Sequence, residues 1–156
     1  MNIYAGWLAF AALLLSGTAF GQQTMEHSHM HGMAPAADTR ELLKLAPETT
    51  EALRADMRHM TTSLGQVLEL LAANKRGEAA KLLENGLGVT AMSTHPGMMK
   101  ASQEMPESAR MLGMNAHKAA SELAATLKDA KPAAIYSGLQ RVVAGCSSCH
   151  AAYRVR

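Results

Sequence analysis

Between Pro47 and Tyr153 the apolar side chains recur every three or four residues, and nowhere every two. Leu53, Met57, Met60, Leu64, Val67, Leu68 and Leu71 step along one face, because residues three and four apart are neighbours on a helix. The spacing predicts a helix from Pro47 to near Asn74, closed by Gly77. Pro47 suits a first helical turn, and Glu48 and Glu51 complement the dipole there. A second helix is predicted from Glu78 to Leu83. It frays into Asn85-Gly86-Leu87-Gly88, where the glycines weaken any continuation toward Met92. Ser93–Pro106 reads as a loop. The third helix runs from Glu107 to about Leu127, with Met111, Met114, His117, Ala120, Leu123, Ala124 and Leu127 on one stripe. The fourth starts at Pro132 and turns Ile135, Leu139, Val142, Val143, Cys146, Cys149, His150 and Tyr153 inward. A short helical piece is expected at Thr39–Leu45, ending before Pro47 because a residue preceding proline avoids the α region. No hairpin signal separates alternating runs. The expected fold is all-α, an antiparallel four-helix bundle over residues 47–156.

The opening 21 residues, MNIYAGWLAFAALLLSGTAFG, hold no charged side chain. Their apolar centre, Trp7 to Leu15, is too short to span a bilayer. Ala19 and Gly21 have the spacing of a signal-peptidase site, so residues 1–21 are expected to be a cleaved secretory signal, with Gln22 the new N-terminus. The lack of Lys or Arg before the apolar run leaves an uncleaved anchor as the alternative. Removing 21 of the 156 residues leaves 135, enough for one domain with its own core. Residues 22–46 are expected to be a disordered tail and a short lead-in, since QQTMEHSHMHGMAPAAD shows no period. The formal charge of +2 is too near zero to point to nucleic acid. Trp7, Phe10, Phe20 and Tyr4 all lie in the signal, leaving Tyr136 and Tyr153 as the only later aromatics. A core of Leu, Val, Ala and Met would be helped to completion by a large flat cofactor.

Cys146-Ser147-Ser148-Cys149-His150 is a C-x-x-C-H pentad, the haem c attachment signature. Residues three apart share a helix face, so both thiols reach one edge of a porphyrin and add across its two vinyl groups. His150 follows at once and is the expected proximal iron ligand. Two other readings of the cysteines are weaker. A thioredoxin-type dithiol sits at a helix N-terminus, where the dipole lowers a thiol pKa, and this pair ends the last helix. A structural zinc site needs two more clustered ligands, and only the scattered His95 and His117 are on offer.

The pentad is followed by Ala-Ala-Tyr-Arg-Val-Arg, and the string CSSCHAAYR at Cys146–Arg154 resembles the C-terminal motif of the class II c-type cytochromes, the cytochrome c′ family. The leader, the helix order and the Met57-Arg58 pair extend the resemblance over roughly residues 45–156. The resemblance implies a periplasmic bundle with one haem near an end, its distal side lined by the first helix. Some members bind NO or CO at an open sixth position. Others fill it with methionine and carry electrons. Arg154 matches a basic residue that pairs with a haem propionate, and dimers through the first two helices are common in such proteins. The His/Met tail, the missing core aromatics and the Met-rich segment around His95 depart from the family pattern.

On the first helix Met57 and Met60 share the buried face, and a thioether opposite His raises a haem's reduction potential. Met57 is favoured on the resemblance, Met60 is the alternative, and packing is the plainer reading of both. His95 and His117 are weaker distal alternatives, His117 reading first as a core histidine. Met98, Met99 and Met105 either fold over a haem edge or sit in a surface loop. In the tail, His27, His29 and His31 alternate with Met25, Met30 and Met33, a donor set suited to copper in both oxidation states. The leading expectation is a periplasmic electron carrier with an unidentified redox partner and no catalytic constellation. The alternatives are a five-coordinate NO/CO-binding protein and a copper-handling protein.

Overall fold

Pro47 opens the longest element, α1 (Pro47–Ala72), at the position where a missing N–H costs nothing. The computed structural model describes residues 37–156, of which 78% are helical, in six packed helices. After α1 come α2 (Arg76–Leu87), α3 (Val89–Thr94), α4 (Pro96–Glu104), α5 (Glu107–Thr126) and α6 (Pro132–Ala152). Two-residue strands β1 (Glu41–Leu42) and β2 (Tyr153–Arg154) pair in parallel, Glu41 against Tyr153 and Leu42 against Arg154. No helix among the described residues is long and apolar enough to cross a membrane. The expected signal and the His27, His29 and His31 tail lie outside the described residues.

The four long helices follow the apolar spacing, with four corrections. Asn74, in the left-handed region at φ 58°, turns the chain after α1, while Gly77 lies inside α2. The second helix does not fray at Asn85-Gly86. Gly86 is buried where a Cβ would stand 2.7 Å from Ser63 Cβ, so it serves close approach to α1 rather than a break. Ser93–Pro106 is mostly helical, not a loop: α3 reaches Thr94, and α4 starts on Pro96. Thr39–Leu45 is not helical and holds the strand Glu41–Leu42 instead. So short a helix is marginal alone, whereas the strand pairing and the burial of Leu43 hold the segment against the end of α6.

The main core lies among α1, α2, α5 and α6, with Val67, Leu83, Leu123, Leu127 and Val142 almost fully buried. A smaller cluster of Leu53, Met98 and Ala101 joins α1 to α4. Glycines set two close contacts between α5 and α6. A Cβ on Gly145 would lie 2.8 Å from Ala116 Cα, and one on Gly138 would lie 2.6 Å from Leu123 Cδ1. Helix α1 packs on α2 and α4, α2 on α5, and α5 on α6, but no comparable packing joins α1 to α6. The gap between those two helices is where the candidate site lies.

Candidate functional site

A cavity of ≈ 220 Å³ separates α6 from α1. Helix α6 contributes Cys146, Cys149 and His150 to its wall. Helix α1 contributes Met57, Met60 and Leu64. Met98 of α4 and His117 of α5 complete the set of sulfur and imidazole groups. A second cavity of ≈ 220 Å³ adjoins it, sharing Met57, Cys149 and His150, and is bordered by Arg40, Arg54 and Arg154. The two together make an apolar slot with a guanidinium-rich mouth.

On α6 the spacing of three places both thiols on the cavity side of one helix. Cys146 and His150 are exposed and Cys149 half-buried, so the inward stripe expected there opens onto the cavity instead of a closed core. Val143, on the same stripe, is 46% exposed, and Leu68 and Met111, also expected inside, are exposed as well. Desolvation by the apolar wall pushes both thiols above the usual cysteine range, and for Cys149 the neighbouring Cys146 adds to the shift. A dithiol redox site needs the opposite shift.

Met57 and Met60 are half-buried and both line the first cavity, while Met57 alone of the two also reaches the second. His59, expected to point elsewhere, is exposed and away from both cavities. His117 is buried, and its Nδ1 donates to the Leu87 carbonyl at 2.7 Å. It is the satisfied core histidine of the sequence reading and a cavity-wall residue at once. His95 is not in the cavity wall: it is buried with Nδ1 3.2 Å from Asp56 Oδ1.

Arg154 lies beyond the helix, in β2, rather than on a continuing last helix. Its Nε donates to the Arg40 carbonyl at 3.3 Å and sits 3.5 Å from Asp38 Oδ2. Arg40 in turn donates to the His150 carbonyl at 3.3 Å, so the extended segment before α1 is tied to the residue that ends the pentad. The side-chain and backbone hydrogen bonds of Arg40 hold the Asp38 carboxyl down at about 2.

The chemistry of this donor set fits a covalently held haem. Two thiols and an imidazole stand on one wall, thioethers face them from α1, the lining between is apolar, and cations border the mouth. Gly113 lies on the α5 wall of the cavity, where a Cβ would meet nothing within 4 Å. Met98 and Arg40 were not identified from sequence as definite wall residues, and Asp56 was missed entirely. Asp56 did carry a signal: with Leu53 and Met60 it falls on the apolar stripe, where a charge needs a partner. Among protein-family models, curated proteins and solved structures, none matches the chain.

Proposed function

We propose that this chain is an exported mono-haem c-type cytochrome that carries electrons. Its haem would be held through Cys146 and Cys149, with His150 as the proximal and Met57 as the distal iron ligand. The observation that carries this reading is the convergence of the pentad and the α1 methionines on one apolar cavity between two helices that otherwise do not pack together. When bound, the haem supplies a one-electron Fe(III)/Fe(II) couple.

The residues of the chain tune and protect that couple. Cys146 and Cys149 anchor the group so that it cannot dissociate. His150 offers a nitrogen donor whose helical turn is steadied by Arg40 at its carbonyl. A thioether from α1 stabilises the reduced metal and raises the potential. The apolar lining excludes water, and Arg40, Arg54 and Arg154 offer cations to propionates at the mouth.

Covalent attachment is the direct test. Expressed with a c-type maturation system, the protein should keep its pigment through acid–acetone extraction, and the double variant Cys146→Ala, Cys149→Ala should lose it. Extraction of the pigment from the unaltered protein would sink the reading.

A further inference from the structure

Helix α4 is fastened to α1 by a buried polar contact that the haem reading does not use. Asp56, 8% exposed, stands one residue before Met57. Its Oδ2 accepts the Met98 backbone N–H at 2.8 Å, and its Oδ1 accepts from His95 Nδ1 at 3.2 Å. The carboxylate thus caps the first turn of α4 from another helix, where orphan N–H groups and the dipole favour a negative group. Gly97 lies against the Ala52 backbone so closely that a Cβ would collide with it. His59 packs its ring 4.9 Å from that of His95 and closes the pair from the outside. The consequence is a fixed register between α1 and α4, and with it a fixed place for the Met98 side chain. Met98 is 9% exposed and lines the same cavity as Met57 and Met60.

We propose that Met98 shuts the thioether-lined side of the cavity against small external ligands, and that Asp56 is its positioning residue. The inference rests on the haem reading and deepens it: it names what keeps a carrier from behaving as a gas binder. Met57 would hold the metal, and Met98, in the same cavity wall, would cover that side. The carboxylate holds the Met98 backbone and burial to 9% exposure confines its side chain, so an incoming diatomic must wait for α4 to lift. Asn at position 56 can still accept from the Met98 N–H and meet His95 through its amide, whereas Ala can do neither.

The test uses the haem-loaded, reduced protein and follows CO association by stopped flow. Met98→Ala and Asp56→Ala should each speed CO binding about tenfold, the effect of lowering the barrier by about 1.4 kcal/mol. Asp56→Asn should stay near the parent rate. The sulfur–iron near-infrared band of the oxidised protein should survive in Met98→Ala. Leu83→Ala, in the other core cluster, serves as a control for general loosening and should leave the CO rate unchanged. Unchanged CO kinetics in Met98→Ala, or an equal acceleration in Leu83→Ala, would overturn the assignment. So would loss of the band in Met98→Ala, which would make Met98 the ligand rather than the cover. A protein that takes up no covalent haem at all fails the parent reading instead, and is told apart by its lack of pigment.

Discussion

Met57 and Met60 lie three residues apart on α1, less than one helical turn, and only one sulfur of such a pair can stand over a metal. Their surroundings differ. Met57 belongs to both cavities and shares the second with Cys149 and His150. Met60 packs against both core clusters. Met57→Ala should therefore remove the sulfur–iron band and lower the potential, because the soft ligand that favours Fe(II) is gone. Met60→Ala should keep the band and cost roughly 2–3 kcal/mol in denaturant unfolding, the low end for emptying a methionine site. Reversal of the two phenotypes would move the ligand to Met60. At this scale the pentad was legible because its chemistry is local: three side chains within five positions of one helix. His117 was legible as a core histidine from its place on the apolar stripe of α5, and it is buried on the Leu87 carbonyl. Met98 was legible only as one of two readings and Arg40 not at all, because each acquires its role from a partner far along the chain: Met98 is fixed by Asp56, and Arg40 by the carbonyl of His150.

Helices were read from their apolar spacing wherever a core partner lay along the whole element. The long stripe of α1 and the first half of α6 meet that condition, apart from residues such as Leu68, which follows the fully buried Val67 and cannot share its direction, whereas the second half of α6 opens onto the cavity. Helix α4 could not be read, because its N-terminal cap is supplied across the fold by Asp56 and its first turn depends on Gly97 fitting against α1. Glycine carries opposite meanings in these helices, and substitution separates them. Gly65 is exposed on α1 and a Cβ there would meet nothing within 4 Å, so Gly65→Ala should gain about 0.5–1 kcal/mol from helix propensity. Gly145 presses on the Ala116 backbone, and a Cβ at 2.8 Å must push α6 from α5. Gly145→Ala should lose about 1–3 kcal/mol despite the same propensity gain. Thermal unfolding followed by helical circular dichroism distinguishes the two, and equal shifts in one direction would refute the packing account of Gly145.

Across the whole described unit, the helices form an open ring, α1 to α2 to α5 to α6, whose missing side is the cavity. The extended segment before α1 bridges that side at one end. Leu43 N–H donates to the Arg154 carbonyl at 2.9 Å, beside the β1–β2 pairing, so the two ends of the unit are held together next to His150. Asp38 gathers the cations of this closure. It pairs with Arg40 at 2.8 Å and lies 3.5 Å from Arg154. Its carboxyl is lowered from 3.8 to about 2, first by the Arg40 side chain, so the closed segment binds the ionised form. A depressed carboxylate lends its stabilisation in full above the unfolded value and loses it as pH falls through the folded one. The closure should therefore hold above about pH 4 and loosen progressively toward pH 2. These groups are exposed, and surface pairs contribute little to global stability, so the loosening should be local. Amide exchange, corrected for its intrinsic pH dependence, should show Leu43 losing protection across that window while amides of α2 and α5 keep theirs. Asp38→Asn should show the same loss already at neutral pH, with helical circular dichroism unchanged. Were Leu43 to stay protected at pH 2 in the parent, or in Asp38→Asn at pH 7, the strand pairing and the burial of Leu43 would suffice to close the ring without the ion pairs.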